Sequence, residues 1–315
     1  MKVEYFESYD VMSKRAAEII AGELNKKSDM VLGLPTGSTP LGLYANLIEM
    51  NKCGEVDFSK VTTFNLDEYY PFKRDDKNSY YKFMFDNFFG KINIDKDRVN
   101  IPNGEADDGD VEAAEYEKKL EDCGGLDLMV LGLGANGHIG FNEPEKFLIA
   151  DTHIAELTEN TREQNKRFFD SIDEVPKKAL TMGMGSILKA KKILIIITGE
   201  AKKEAFKQIL EGKITTENPA TFLNLHRDVI LLTDLKFNLE DEIRKKEREA
   251  FEICNFKIEK LNLDMRLTDV KFAPDNSKIT FYYINPSNKM LDWGTLVGEL
   301  RAIFGKQIEV IQVKE

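Results

Sequence analysis

Apolar runs at residues 30–32, 61–66, 126–131, 193–198 and 229–233 recur along the chain with long segments of helical period between them. Runs without polar alternation suit strands buried on both faces, and amphipathic segments between such strands give the βαβ alternation of a parallel sheet. The spacing predicts helices over 11–24, 41–51, 79–89, 111–123, 162–169 and 202–211. The fold class expected is α/β, a doubly wound, Rossmann-like, mostly parallel sheet. In such sheets the ligand crevice lies beyond the carboxyl ends of the strands. The Gly-, Pro- and Asn-rich stretches at 33–40, 67–78 and 132–144 all follow strands, so three loops are expected to converge on one site.

After Leu235 the pattern changes. A charged amphipathic helix over 239–260 leads to β-rich runs at 266–272 and 278–284, with a hairpin signal, Pro274-Asp275-Asn276-Ser277, between them. A helix over 292–304 and a strand over 307–313 complete an α-β-β-α-β order, a small C-terminal α+β domain. The division expected is 1–240 and 241–315, with no internal repeat and no low-complexity linker.

At 315 residues and 42% hydrophobic content the chain can bury a large core. Its longest apolar runs, such as 193–197, fall far short of the roughly 20 residues a membrane helix needs, and the N-terminus has no secretory pattern. The expected location is cytoplasmic. Cys53, Cys123 and Cys254 are widely separated and odd in number, which suits a reducing compartment and forms no metal-ligand cluster. A net charge of −11 opposes nucleic-acid binding, and the mixed-sign run 240–249 reads as a solvated helix face.

The segment 33–40, Gly-Leu-Pro-Thr-Gly-Ser-Thr-Pro, joins the first apolar run to an amphipathic stretch and reads as strand, phosphate loop, helix. Gly37 lets the backbone turn, Ser38 and Thr39 supply hydroxyls and a helix cap, and Pro40 suits a first helical position, so an anion can dock at the helix N-terminus. No Gly-Lys-Ser/Thr follows, which leaves out the nucleoside-triphosphate version. A small phosphorylated metabolite fits better.

Gly132, Gly134 and Gly137 make a literal G-x-G-x-x-G after a strand. The dinucleotide fingerprint requires the third glycine to open a helix, but here the chain runs through His138, Ile139, Gly140 and Phe141 to Pro144 with neither helical period nor cap. What the segment offers is an imidazole, His138, with an amide at Asn136 and a carboxylate at Glu143. A neutral imidazole can move a proton between two oxygens near pH 7 if a neighbour fixes its tautomer, and Glu143 or Asn136 can do that. The structural alternative is a hydrogen-bonded loop histidine; flanking glycines, which open space for a ligand, favour the base. In Phe64-Asn-Leu-Asp-Glu-Tyr-Tyr, Asp67 and Glu68 should point apart, so one can enter the crevice. An aspartate among aromatics is partly desolvated, which raises its basicity and suits it to removing a carbon-bound proton. Arg167 and Lys202 are cations that can close over a phosphate, although spacing alone does not single them out. His153 and His226 read as structural.

Taken together, PTGSTP, TFNLDEY, NSYYKFM, GHIGFNEP, TREQNKRFF, ALTMGMGSIL and the turn at 199–202 closely resemble glucosamine-6-phosphate deaminase over roughly residues 1–237. The resemblance implies conversion of glucosamine 6-phosphate and water to fructose 6-phosphate and ammonia, in amino-sugar catabolism, with no metal or organic cofactor. It implies that His138, assisted by Glu143 and Asn136, opens the sugar ring, and that Asp67 carries a proton from C2 to C1. It places the phosphate on Gly37, Ser38 and Thr39, held by Arg167 and Lys202 with Tyr80 nearby. Many relatives carry aspartate where this chain has Asn136; a neutral amide orients His138 but stabilises its imidazolium less. Allosteric hexameric relatives bind N-acetylglucosamine 6-phosphate through basic residues where this chain has Phe147, His153 and Ala155, which argues against that activation and that hexamer.

The tail over 250–313 resembles the C-terminal part of the bacterial PSP1-type domain, departing from it at 285–290 and 305–307; the cysteines of that type are absent, so no iron–sulfur cluster is implied. A homo-oligomer and a partner for the tail are left open. Two other readings stay in view: a 6-phosphogluconolactonase-type hydrolase, and a non-catalytic sugar-phosphate sensor with a partner-binding tail.

Overall fold

Leu32, Leu34, Val130, Leu194 and Ile196 are all 1% exposed or less, because helices cover both faces of the strands that carry them. The computed structural model describes residues 1–166, 169–235, 239–273, 277–285 and 293–313. They fall into two units, Met1–Lys236 and Phe237–Glu315. The turn at 274–276 and most of the stretch at 285–290 lie outside the described residues.

The first unit is built on a seven-stranded sheet of β1 (Lys2–Tyr5), β2 (Val31–Leu34), β3 (Thr62–Asn65), β5 (Val99–Asn100), β6 (Leu128–Gly132), β9 (Lys192–Ile197) and β10 (Val229–Thr233). Their order is β1-β10-β9-β6-β2-β3-β5, and every ladder is parallel. From β2 the chain winds outward to β3 and β5, then returns to lay β6 on the other side of β2. That reversal opens a crevice where the loops after β2 and β6 diverge, which is where open α/β sheets bind ligands.

Helix α1 (Tyr9–Lys26) buries Met12, Ala16, Ile20 and Leu24, spaced four apart on one face. Ser8 caps it, accepting a hydrogen bond from Val11 N. α2 (Leu41–Lys52) buries Leu43, Tyr44, Leu47 and Ile48 in the same core. α3 (Tyr80–Asn87), α4 (Gly109–Asp122), α5 (Glu159–Asn165), α6 (Met184–Leu188) and α7 (Lys203–Leu210) complete the unit's helices among the described residues.

Two features depart from the sequence expectation. β1 forms an edge strand in a segment, Lys2–Tyr5, where two charged residues leave no apolar run to mark it. A second, antiparallel sheet also stands beside the first, made of β4 (Asp67–Tyr70), β8 (Lys178–Thr181) and β7 (His153–Glu156) in the order β4-β8-β7. The stretch 67–78, expected as a loop, therefore begins as a strand.

In the second unit α8 (Leu239–Lys260) turns Ala250, Cys254 and Ile258 onto a three-stranded sheet of β11 (Arg266–Phe272), β12 (Lys278–Ile284) and β13 (Gln307–Gln312). β11 and β12 are antiparallel, whereas β12 and β13 are parallel. A parallel pair needs a crossover, and α9 (Trp293–Phe304) supplies it, burying Leu296 and Leu300. Burial pushes the Cys254 thiol up to about 12, so it behaves as a core apolar group.

The central strands should dominate stability. Leu32→Ala is expected to lower the unfolding free energy by about 2–5 kcal/mol, measured by urea denaturation; a loss below about 1 kcal/mol would show that this position is not close-packed.

Candidate active site

Leu66 separates β3 from β4 and belongs to both sheets: its amide donates to Leu34 O at 3.1 Å and its carbonyl accepts from Met182 N at 2.7 Å. Asp67 follows on the seam. Its side chain lines a cavity of about 640 Å³ at the carboxyl ends of β2, β6 and β9. The next side chain points elsewhere. Glu68 accepts hydrogen bonds from the amides of Tyr69 and Tyr80, both at 2.9 Å, and of Tyr81 at 2.8 Å, so it anchors the first turn of α3. Tyr80 thereby stands in the cavity wall, stacked on Phe141 with ring centroids 6.1 Å apart.

Asp67 is 6% exposed, and its Oδ1 has no hydrogen-bond partner among the described residues. Burial first, then the neighbouring Glu68 charge, push its carboxyl up to about 8. Burial raises Glu68 as well, against the pull of its three amides. Gly140, at φ 58°, passes close by; a Cβ there would lie 3.4 Å from Asp67 Oδ2 and 2.9 Å from Thr181 Oγ1.

His138 enters the cavity from the loop after β6. Gly134 N donates to His138 O at 2.9 Å, which folds the loop so that a Cβ on Gly134 would fall 2.4 Å from the imidazole. The glycine makes room for the histidine ring itself, whereas the sequence reading assigned the space to a ligand. Asn136 Nδ2 donates to Glu143 Oε2 at 2.8 Å, and Asn136 Oδ1 accepts from His138 N at 3.2 Å. His138 Nδ1 lies 3.4 Å from Glu143 Oε1, near enough to feel its charge but without an aligned hydrogen bond. The same Oε1 accepts the hydroxyl of Thr161. Burial would raise the Glu143 carboxyl; contact with His138, and then the Thr161 and Asn136 bonds, outweigh it and hold the group down to about 2.

Residues 35–39 line the same cavity. Gly37, at φ 93°, turns the loop, and two tyrosines brace it: Tyr9 donates to Thr39 O at 2.8 Å and accepts from Gly42 N at 2.7 Å, while Tyr44 donates to Pro35 O at 2.5 Å. The helix cap expected from Ser38 and Thr39 is not formed. Pro40 occupies the cap position with no side-chain bond, and α2 starts one residue later, at Leu41. Lys202, in a 3-10 turn before α7, also lines the cavity. Arg167 lies outside the described residues.

Asp67, His138, Gly37, Ser38, Thr39, Tyr80 and Lys202 therefore share one cavity, with Glu143 and Asn136 behind His138. Sequence reasoning did not single out Thr161, Asn165 or Thr198, which line it too. Thr158 and Thr161 carry a helix-cap spacing, and Thr158 does cap α5, but nothing local announces that Thr161 meets Glu143. His226 is structural: its Nδ1 accepts from Asp228 N at 3.1 Å, which leaves Nε2 to donate to Ala190 O at 2.6 Å. No group of metal-ligating side chains occurs among the described residues.

A glycine-turned loop, an imidazole and a buried carboxylate gathered at the switch point of a parallel sheet define the site of an α/β enzyme. The chain belongs to the glucosamine-6-phosphate isomerases/6-phosphogluconolactonase family, whose model matches residues 7–231. The PSP1 C-terminal conserved region matches residues 231–313, starting earlier than the resemblance at 250–313. A glucosamine-6-phosphate deaminase of Thermoanaerobacter sp. (strain X514) is 54% identical over 234 residues, 74% of this chain and 92% of the relative. The solved structure of a monomeric glucosamine-6-phosphate deaminase superposes with a TM-score of 0.72 at 47% identity, covering 74% of this chain and 97% of that one. A 6-phosphogluconolactonase from Thermotoga maritima shares the fold at 17% identity and a TM-score of 0.59, over 74% and 98% of the two chains.

A raised carboxyl couples the site to stability. The Asp67 anion is disfavoured in the fold, a penalty absent below its unfolded pKa of about 3.9 and growing as pH rises toward 8. Asp67→Asn should raise Tm by at least about 2 °C at pH 8, with a smaller gain at pH 5; calorimetry showing an equal or larger gain at pH 5 would contradict the buried-anion account.

Proposed function

We propose that the chain is a glucosamine-6-phosphate deaminase, converting glucosamine 6-phosphate and water to fructose 6-phosphate and ammonia. The observation that carries this reading is the buried Asp67 carboxylate, its Oδ1 without a partner among the described residues, in one cavity with His138 and a braced loop suited to an anion. The phosphate rests on Gly37, Ser38 and Thr39 and is balanced by Lys202, with Arg167 as a second cation and Tyr80 alongside. His138 takes the proton of the anomeric hydroxyl and delivers it to the ring oxygen, which opens the pyranose. Asp67, as the anion, then removes the C2 proton to give an enolamine and returns a proton to C1. Water adds to the resulting C2 imine, and ammonia leaves. The reaction is hydrolytic at a C–N bond and fits N-acetylglucosamine degradation; unpaired Cys53, Cys123 and Cys254 suit a reducing, cytoplasmic setting.

The Asn136 amide has a specific use here. It donates to Glu143 while holding the His138 backbone, and an aspartate in the same rotamer would set a second carboxylate against Glu143 at 2.8 Å. We assign the first unit, Met1–Lys236, to catalysis, so the boundary expected at 240 falls a few residues earlier, ahead of α8.

A coupled assay for ammonia and fructose 6-phosphate tests the reading, with 6-phosphogluconolactone as the control substrate. Asp67→Asn should lower kcat by at least about 10²-fold while KM changes little. Because Asp67 works ionised and its carboxyl stands near 8, kcat/KM should climb as pH rises from 6 toward 8. Lactone hydrolysis without ammonia release would favour the lactonase reading, and sugar-phosphate binding without turnover would favour a sensor.

A further inference from the structure

Glu143 Oε1 has two claimants and satisfies one. Thr161 Oγ1, carried on α5, donates to it, whereas His138 Nδ1 stands 3.4 Å from the same atom with no hydrogen-bond partner among the described residues. The other oxygen, Oε2, is taken by Asn136. Thr161 is 3% exposed and is held from behind: its amide donates to Thr158 Oγ1 at 3.2 Å, and the Thr158 hydroxyl donates to Thr161 Oγ1 at 3.1 Å. The hydroxyls thus run in one direction, from the cap of α5 into the carboxylate. α5 also lines the cavity through Asn165.

We propose that Thr161 is a positioning residue for the imidazole: its hydroxyl, held by α5, keeps Glu143 Oε1 from closing on His138 Nδ1, so the grip of the carboxylate on the ring is set from α5. Among the described residues the charged groups around the ring are Glu143 from its own loop, with Asp67 of β4 and Lys202 before α7 sharing the cavity. Among the described side chains of α5 the neutral Thr161 and Asn165 line it, and Arg162 turns away, donating to Ile172 O at 2.7 Å. In the deaminase mechanism proposed above, on which this role rests, a loosely held imidazole passes its proton to the ring oxygen, whereas a tight carboxylate bond would stabilise the imidazolium and slow its release.

The full-length chain has three histidines, so the His138 ring resonance can be followed through a pH titration by NMR and assigned by its loss in His138→Gln. In Thr161→Val the carboxylate is released to close from 3.4 Å into a direct bond with the imidazole, and the titration midpoint should move upward relative to wild type. Thr161→Ser keeps the hydroxyl and should titrate as wild type. Thr161→Ala gives the same readout should the valine variant not fold. An unmoved midpoint without the hydroxyl overturns the proposal, as does an equal rise in Thr161→Ser, which would assign the effect to the methyl group's packing. These readings need no turnover, so a wild-type chain that released no ammonia would refute the deaminase reading and leave the titration result standing.

Discussion

A carboxylate held out of water at the junction of two sheets is the constraint on which the rest of this structure depends. Leu66 bonds to β2 on one side and to the end of β8 on the other, so the backbone around Asp67 has no freedom to carry its side chain out to solvent. Burial, with no partner for Oδ1 among the described residues, disfavours the anion, and the raised basicity that results is what the proposed proton transfer requires. Glu68 shows the contrast one residue away: three amides from Tyr69, Tyr80 and Tyr81 occupy its oxygens, which makes it an anchor.

Topology then brings the other groups to Asp67. The reversal between β2 and β6 leaves their loops on two sides of one crevice, and the antiparallel sheet closes a third side through Phe141, whose amide donates to Thr181 Oγ1 at 3.1 Å. Tight turns do the local work: Gly134 leaves space for the imidazole, Gly140 lets the chain pass Asp67, and Gly37 turns the loop that Tyr9 and Tyr44 brace. The cavity therefore combines a glycine-turned loop with an imidazole and a buried carboxylate, the groups to which the proposed reaction assigns the phosphate and the proton transfers.

The parallel sheet was legible because strands buried on both faces leave unbroken apolar runs, as in the Lys192–Ile197 strand. The second sheet was not: its strands are four residues long, and Asp67–Tyr70 carries two acids where a strand signal would be expected. Asn136, His138 and Glu143 could be grouped from sequence because eight residues of one loop hold them all. Thr161 could not, since it reaches Glu143 from a helix 18 residues further along. The Ser38 and Thr39 cap was a misreading of the same kind, a local rule displaced when Pro40 took the cap position itself. Arg167 and the turn at 274–276 lie outside the described residues, so their expected roles rest on sequence alone.

A crystal structure of the chain with an unreactive analogue of the open-chain amino sugar phosphate tests the central claim most directly. The account predicts one Asp67 carboxylate oxygen within about 3.5 Å of the analogue's C2, the reach of a reactive arrangement, with the phosphate seated on residues 37–39. An analogue bound with its phosphate in place but its C2 well beyond that reach of Asp67 would contradict it.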